Sequence, residues 1–273
     1  MITFPNCKIN LGLNIIRKRA DGFHDLETVF FPLPLYDALE IIRKSDNQNA
    51  FEFSGSGLII DTAPQDNICT KAYQLLKNDF PNLPALSLHL HKNIPFGAGL
   101  GGGSADGAFT LLLINEQCNL GLDTSTLLKY ALHLGSDCPF FIINRPALAK
   151  GRGEKLTEIS LDLSSCQTVL VNPGIPINTG WAFSKVSINP NQESLKEIVQ
   201  SPMELWKEKL VNAFEKPVFA AFPEIEKIKK DLYEAGAVYA SMSGSGSSVF
   251  ALFSSGTPPD LRFPPHYFVK TFR

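Results

Sequence analysis

The chain has 273 residues, 44% hydrophobic and 19% charged, which excludes a disordered chain and allows one large domain or two ordinary ones. A net charge of −2 excludes any general attraction to nucleic acid or to an anionic membrane, so a phosphate site must be local, built from backbone and a few cations. Five scattered cysteines without a C-x-x-C pair suggest neither a zinc site nor a disulfide framework, and read as reduced thiols.

The N-terminus, Met1-Ile2-Thr3-Phe4-Pro5, lacks the basic-then-apolar signal pattern, and no apolar run reaches membrane-spanning length. The expectation is a soluble cytoplasmic protein, monomer or homodimer, with no nucleic-acid or membrane partner. Lys8 sits in an otherwise apolar, strand-like start. Residues 19–28 (RADGFHDLET) hold an Asp-Gly turn followed by Phe23 and His24. Residues 38–43 (ALEIIR) read as a strand, with 51–53 as its partner. Asp66 can cap a helix that buries Ile68, Ala72, Leu75 and Leu76 at helical spacing. Leu86, Leu88 and Leu90 alternate with Ser87, His89 and His91, as in a half-buried strand. The two histidines share a face and read as solvent-facing rather than metal-binding.

The strand leads into Pro95-Phe96-Gly97-Ala98-Gly99-Leu100-Gly101-Gly102-Gly103-Ser104-Ala105, with five glycines inside seven residues. Backbone without side chains can bring several N–H groups to one anion, and a following helix adds its positive N-terminus. Ser104 is a plausible N-cap for a helix to about Cys118, apolar nearly all round at 109–114, with Gly121 past its end. A second helix covers 124–134 and stops at Gly135. Asp137 then precedes a short helix containing Pro139, which it could cap.

A glycine- and charge-rich link, Lys150-Gly151-Arg152-Gly153-Glu154, marks the expected domain boundary, giving domains 1–154 and 155–273. Beyond it come a strand at 168–171, a helix start at Ser201-Pro202, and a helix at 223–235 burying Ile225, Ile228 and Leu232. A strand at 238–240, a glycine-serine turn at 243–248 and a strand at 249–253 follow. Pro258, Pro259, Pro264 and Pro265 bracket a late loop.

Three owners of the glycine loop remain open on residue chemistry. It lacks the Lys-Ser/Thr ending of a Walker A motif. It contains a literal G-x-G-x-x-G at Gly97, Gly99 and Gly102, but the acid at dinucleotide spacing, Asp123, falls between two helices. A turn that merely lets a helix pack closely is the bland alternative. The run Pro-x-Gly-x-Gly-Leu-Gly-Gly-Gly-Ser resembles the phosphate loop of the GHMP kinase superfamily. Lys8-Ile9-Asn10-Leu11 and the 243–248 turn resemble its other two motifs, in the same order and over nearly the full chain. The resemblance implies an α+β, two-domain GHMP kinase fold, with an N-terminal half like domain 2 of ribosomal protein S5 and a ferredoxin-like C-terminal half.

It also implies ATP with Mg²⁺ as donor, Lys8 and Asp137 as catalytic residues, and residues 95–105 as the ATP loop. Ser104 becomes a candidate Mg²⁺ ligand or γ-phosphate donor, and no protein carboxylate is assigned to the metal. Asn67 aligns with the family's adenine-side segment, and Lys92, on the strand leading to the loop, is a second candidate for contact with ATP. Residues 19–28 resemble the branch of the superfamily that phosphorylates the 2-hydroxyl of a cytidine-diphosphate-linked methylerythritol in the non-mevalonate isoprenoid route. The implied partner is thus a small molecule with a cytidine diphosphate moiety. An aromatic ring at Phe23 can stack on a base and His24 can hydrogen-bond to it. By the same resemblance Phe183 closes the sandwich, Thr179 faces the transferred phosphate and Asn10 binds substrate. A homoserine- or mevalonate-type kinase and a catalytically inactive GHMP-like nucleotide-binding protein remain the alternatives. Two departures stand out: Asn6-Cys7 replaces the usual Pro-Ala before Lys8, and Asp106 replaces a frequent Asn after the loop serine.

Overall fold

The computed structural model describes residues 1–44, 51–59, 62–190, 193–254 and 261–272, so Pro258 and Pro259 of the late loop lie outside the described residues. The chain forms two compact units that interleave in sequence. The first comprises Met1–Cys7, Pro34–Phe96 and Gly101–Arg145; the second comprises Lys8–Leu33, Gly97–Leu100 and Pro146–Arg273.

In the first unit a four-stranded sheet has the order β1 (Ile2–Thr3), β4 (Ala38–Arg43), β6 (Leu86–Lys92), β5 (Phe51–Gly57). Strand β6 takes an inner position, with Leu86, Leu88 and Leu90 buried on one face and Ser87, His89 and His91 on the other. The expected pairing of 38–43 with 51–53 is corrected: β4 runs antiparallel to β6, and β5 runs parallel to β6 with Phe51 opposite Leu86. On the polar face, Ser54 and Ser56 hydrogen-bond His89, and Ser56 also bonds His91.

Four helices complete this unit: α1 (Ile68–Asp79), α2 (Gly102–Gln117), α3 (Thr124–Leu134) and α4 (Cys138–Ile143). Helix α1 is capped by Asn67, whose side chain accepts the Cys69 N–H at 2.9 Å, not by Asp66, which ends a 3₁₀ turn. Cys69, Ala72, Tyr73 and Leu76 form its buried face, while Ile68 and Leu75, expected there, are only half-buried. Helix α2 begins two residues before Ser104, with Gly101 at the cap in a left-handed conformation (φ 69°). It ends at Cys118, and Asn119 (φ 52°) turns the chain before Gly121 is reached, because Asn tolerates that region. Helix α3 has the expected bounds, with Asp123 accepting the Thr126 N–H at 2.8 Å. Asp137 occupies the cap position of α4 but makes no cap hydrogen bond, since its own backbone is already helical (φ −85°, ψ −17°).

The second unit contains most of the sheet ordered β2 (Asn6–Lys18), β3 (His24–Tyr36), β7 (Ala147–Gly151), β8 (Lys155–Glu158). A second antiparallel sheet has the order β10 (Tyr239–Met242), β11 (Val249–Phe253), β9 (Gln167–Asn172), β12 (Phe268–Phe272). Its helices are α5 (Thr179–Lys185), α6 (Leu195–Val199), α7 (Trp206–Lys209), α8 (Glu215–Ala221) and α9 (Pro223–Glu234). Ile225, Ile228 and Leu232 of α9 are buried as their spacing predicts, in one apolar cluster with Val169, Val171, Ala240 and Val249. Leu13 and Ile15 of β2 join that cluster. The chain next to Asn212 is tied to β2 by two backbone bonds, Leu13 N–H to Val211 and Ala213 N–H to Leu13. All five cysteines are free; four are buried and Cys118 is half-buried. Among the described residues no helix is long and apolar enough to cross a membrane.

Candidate active site

The glycine loop contributes to both units, and its two parts are built differently. In the first unit, the Ala105 N–H bonds back to the Gly101 carbonyl, so the amides of Gly102, Gly103 and Ser104 form the first turn of α2 without helix carbonyls behind them. No acid lies in that turn. A Cβ on Gly102 would meet the Ile94 side chain at 2.8 Å, so glycine is required for the helix to lie this close to β6 and its extension. Beside this turn is a pocket of about 280 Å³ whose lining includes Asn67, Leu90, Lys92, Phe96, Ser104 and Asp106. Phe96 is 72% exposed at its rim. An apolar wall next to unpaired helix amides, with a buried lysine behind, fits a nucleotide base with its phosphates.

Lys92 is buried between two carboxylates: it pairs with Asp37 and, at 2.8 Å, with Asp106. Asp37 is fixed by accepting the N–H groups of Asn93 (2.6 Å) and Ile94 (2.8 Å). Burial works to lower the Lys92 pKa, but Asp106 and Asp37 outweigh it and raise it above the ordinary value. Burial pushes the Asp106 carboxyl up to about 8, against the pull of Lys92. The second Asp106 oxygen, Oδ1, is buried with no hydrogen-bond partner. The charge after the loop serine therefore turns inward to Lys92 rather than toward the first turn of α2. Asp137 stands just before α4; the thiol of its neighbour Cys138 is pushed up to about 12 by burial and hydrogen-bonds Ser104. The other departure from the family pattern is also an internal contact, Asn144 Nδ2 to Asn6 Oδ1 at 2.8 Å.

In the second unit Lys8, Asn10, Gly99 and Ser243 come together. The buried Lys8 ammonium donates to Asn10 Oδ1 (2.6 Å) and to the Gly99 carbonyl (3.2 Å), and lies 4.9 Å from the centre of the Phe30 ring. Asn10 Nδ2 donates to Thr28 Oγ1 at 3.0 Å, whose hydroxyl donates to Gly12 at 2.6 Å. The Ser243 hydroxyl donates to the Gly99 carbonyl at 2.9 Å and receives the Asn10 N–H at 3.3 Å. The Ser248 N–H binds Ala98, so the 243–248 turn grips the loop from two sides. Asn212, which sequence reading passed over, anchors that turn: its Nδ2 donates to the Met242 and Gly244 carbonyls, both at 2.8 Å. Its signal, a polar residue between short helices, is not distinguishable in sequence from a surface asparagine. Asp37 was missed for the same reason.

The predicted base-stacking residues also lie in this unit. Phe23 is 53% exposed at the tip of the β2–β3 turn. His24 stacks on Phe183, with ring centres 5.0 Å apart and planes at 20°, and Phe183 meets Phe214 edge-on. Burial, then Lys18, lowers the His24 pKa, so the ring is neutral at neutral pH. Thr179 starts α5 and its hydroxyl is 3.1 Å from that of Ser245 in the glycine-serine turn.

Comparison with known proteins decides the family. The model of the GHMP kinases N-terminal domain matches residues 67–145 and that of the C-terminal domain matches 192–262. A 4-diphosphocytidyl-2-C-methyl-D-erythritol kinase of Bacteroides fragilis is 53% identical over 93% of this chain and 92% of its own. The chain belongs to the 4-diphosphocytidyl-2-C-methyl-D-erythritol kinase family, within the GHMP kinases. The kinase of that name from Azobacteroides pseudotrichonymphae is 48% identical over 98% of this chain and all of its own length. A crystal structure of 4-(cytidine 5'-diphospho)-2C-methyl-D-erythritol kinase is 31% identical, with a TM-score of 0.80 over 92% of this chain and 90% of that one. Mevalonate kinase from Methanococcus jannaschii, 15% identical with a TM-score of 0.70 over 93% of this chain and 90% of its own, shares the fold. The α+β two-domain GHMP kinase expectation is met, and the chain is an ATP-dependent kinase of this family.

Proposed function

We propose that the protein transfers the γ-phosphoryl group of ATP to the 2-hydroxyl of 4-diphosphocytidyl-2-C-methyl-D-erythritol, in the cytoplasm and as part of isoprenoid precursor synthesis. The observation that carries the reading is the stacked pair His24–Phe183, with the exposed Phe23 next to it in sequence, in a chain about half identical to kinases named for that substrate. A small aliphatic acceptor offers no base to stack, which disfavours a homoserine- or mevalonate-type enzyme. The base stacks on Phe23, Phe183 closes the other side, and neutral His24 offers one donor and one acceptor at its ring edge.

Bound ATP with Mg²⁺ supplies the phosphoryl group and offsets its charge, the metal held mainly by phosphate oxygens and water. The amides of Gly102, Gly103 and Ser104 at the start of α2 orient the phosphates, and the Ser104 hydroxyl is the side chain nearest to that task. The base of the nucleotide takes the pocket lined by Asn67, Lys92 and Phe96. Asp137 receives the proton of the acceptor hydroxyl, and Lys8 holds that hydroxyl in place. Asn10 orients Lys8 through the 2.6 Å bond. A loose transition state demands little base strength, so an ordinary carboxylate suffices. Thr179 faces the transferred group.

ADP release with Mg-ATP across a panel of acceptors tests the reading. Turnover is expected with the cytidyl substrate and not with homoserine, mevalonate or galactose. Turnover confined to a non-cytidyl acceptor overturns the substrate, and none with any acceptor favours a binding protein.

A further inference from the structure

The β7–β8 hairpin ends in a tip built to aim one cation. Gly151 (φ 72°) and Gly153 (φ 113°) flank Arg152 in left-handed conformations. The Glu154 carboxylate accepts the Arg152 N–H at 2.6 Å, and a Cβ on Gly151 would meet that carboxylate at 2.8 Å. Strand β7 pairs with β3 at Leu26↔Gly151, so the tip runs beside the first residues of β3 and the turn before them. There the Arg152 guanidinium lies over the Phe23 ring, 4.9 Å from its centre.

Phe23 needs such a support. Its backbone is fixed: Arg19 N–H bonds Phe23 O at 2.8 Å, Phe23 N–H bonds Asp21 at 3.2 Å, and Arg19 pairs with Asp21 and Asp25. Its ring, more than half exposed, has a rotamer to lose when a ligand stacks on it. A guanidinium over one face restrains the ring through its quadrupole and leaves the other face for a base.

We infer that Arg152 is a positioning residue for the acceptor's base: it braces Phe23 from behind and so sets specificity for a cytidine-bearing substrate. This rests on the proposal that Phe23 stacks on that base. The role differs from contact with reacting atoms, because Arg152 acts through the ring.

A double-mutant cycle on the full chain tests it, with KM and kcat for the cytidyl substrate, KM for ATP and the dissociation constant of CDP measured for each variant. Arg152→Ala is expected to raise KM and weaken CDP roughly 2- to 5-fold, with kcat and KM for ATP unchanged. Phe23→Leu should raise KM roughly 5- to 100-fold, as for loss of one stacked base. Adding Arg152→Ala to Phe23→Leu should change nothing further, and Arg152→Lys should keep part of the wild-type value. An equal Arg152→Ala effect in both backgrounds, or an effect on kcat only, overturns the brace. A lower KM in Arg152→Ala also overturns it, since the guanidinium would then occupy the face the base takes. An unchanged KM in Phe23→Leu overturns the stacking proposal itself, and the brace with it.

Discussion

Asp137 and Lys8 are the residues on which turnover is expected to depend. Asp137→Asn should lower kcat roughly 10²- to 10⁴-fold while ATP still binds, measured by steady-state kinetics and nucleotide titration. A folded variant with near-normal kcat would show that another group takes the proton. Asp106 gives a pH signature. Its folded-state pKa lies above the ordinary 3.8, so its contribution to stability is full below that value and fades as pH rises toward 8; Lys92 stays charged throughout that window. The melting temperature of Asp106→Asn minus that of the wild type should therefore rise from pH 4 to pH 8. A difference that falls over this range would mean a carboxylate held ionised by Lys92. The chemistry of Lys8 and Asp106 was visible in sequence only as charge in an apolar setting. Asn10, two residues along the same strand, is within reach of sequence reasoning as the partner of Lys8, whereas the Asp106–Lys92–Asp37 group joins residues up to 55 apart at each ion pair, which periodicity does not encode.

At the scale of elements, the glycines of the loop divide into those that admit a helix and those that admit another loop. Gly99 belongs to the second kind: at φ 77°, its Cβ would lie 2.0 Å from the Ser243 carbonyl oxygen, which is backbone and cannot turn aside. Gly99→Ala should lower the melting temperature by at least about 2–4 °C, the equivalent of roughly 1 kcal/mol, and raise KM for ATP. Asn212→Ala should cost about 1–3 kcal/mol by leaving the Met242 and Gly244 carbonyls unpaired, read in denaturant unfolding. Long periodic elements were legible: 38–43, 124–134 and 249–253 match their strands and helix residue for residue. Caps were less so. Asp66 and Asn67 are adjacent candidates with similar chemistry, and Gly101, three residues before Ser104, caps α2 with no side chain at all, so the choice falls to whichever backbone the packing places outside the helix. Strand order around β6 was likewise invisible, because its one apolar and one polar face do not say which strands flank it.

At the scale of the molecule, the motifs at Lys8, at residues 95–105 and at 243–248 led to the fold because the last two are backbone devices with strict residue demands and the first is a buried lysine that contacts the loop at Gly99. The expectation for the acceptor came from a different signal, the motif at residues 19–28 and the ring at 183. Relatives of about half identity bear the name of one kinase, while structures near 15% identity share only the architecture. The proposal assigns the glycine loop to the donor and the aromatic residues to the acceptor. The most direct test of that pairing is the product formed from Mg-ATP and 4-diphosphocytidyl-2-C-methyl-D-erythritol, examined by mass spectrometry and phosphorus NMR. A gain of one phosphate is expected, borne as a monoester on the 2-hydroxyl, in step with ADP. ADP formed with inorganic phosphate and unmodified acceptor, or a phosphate on another hydroxyl, would contradict it.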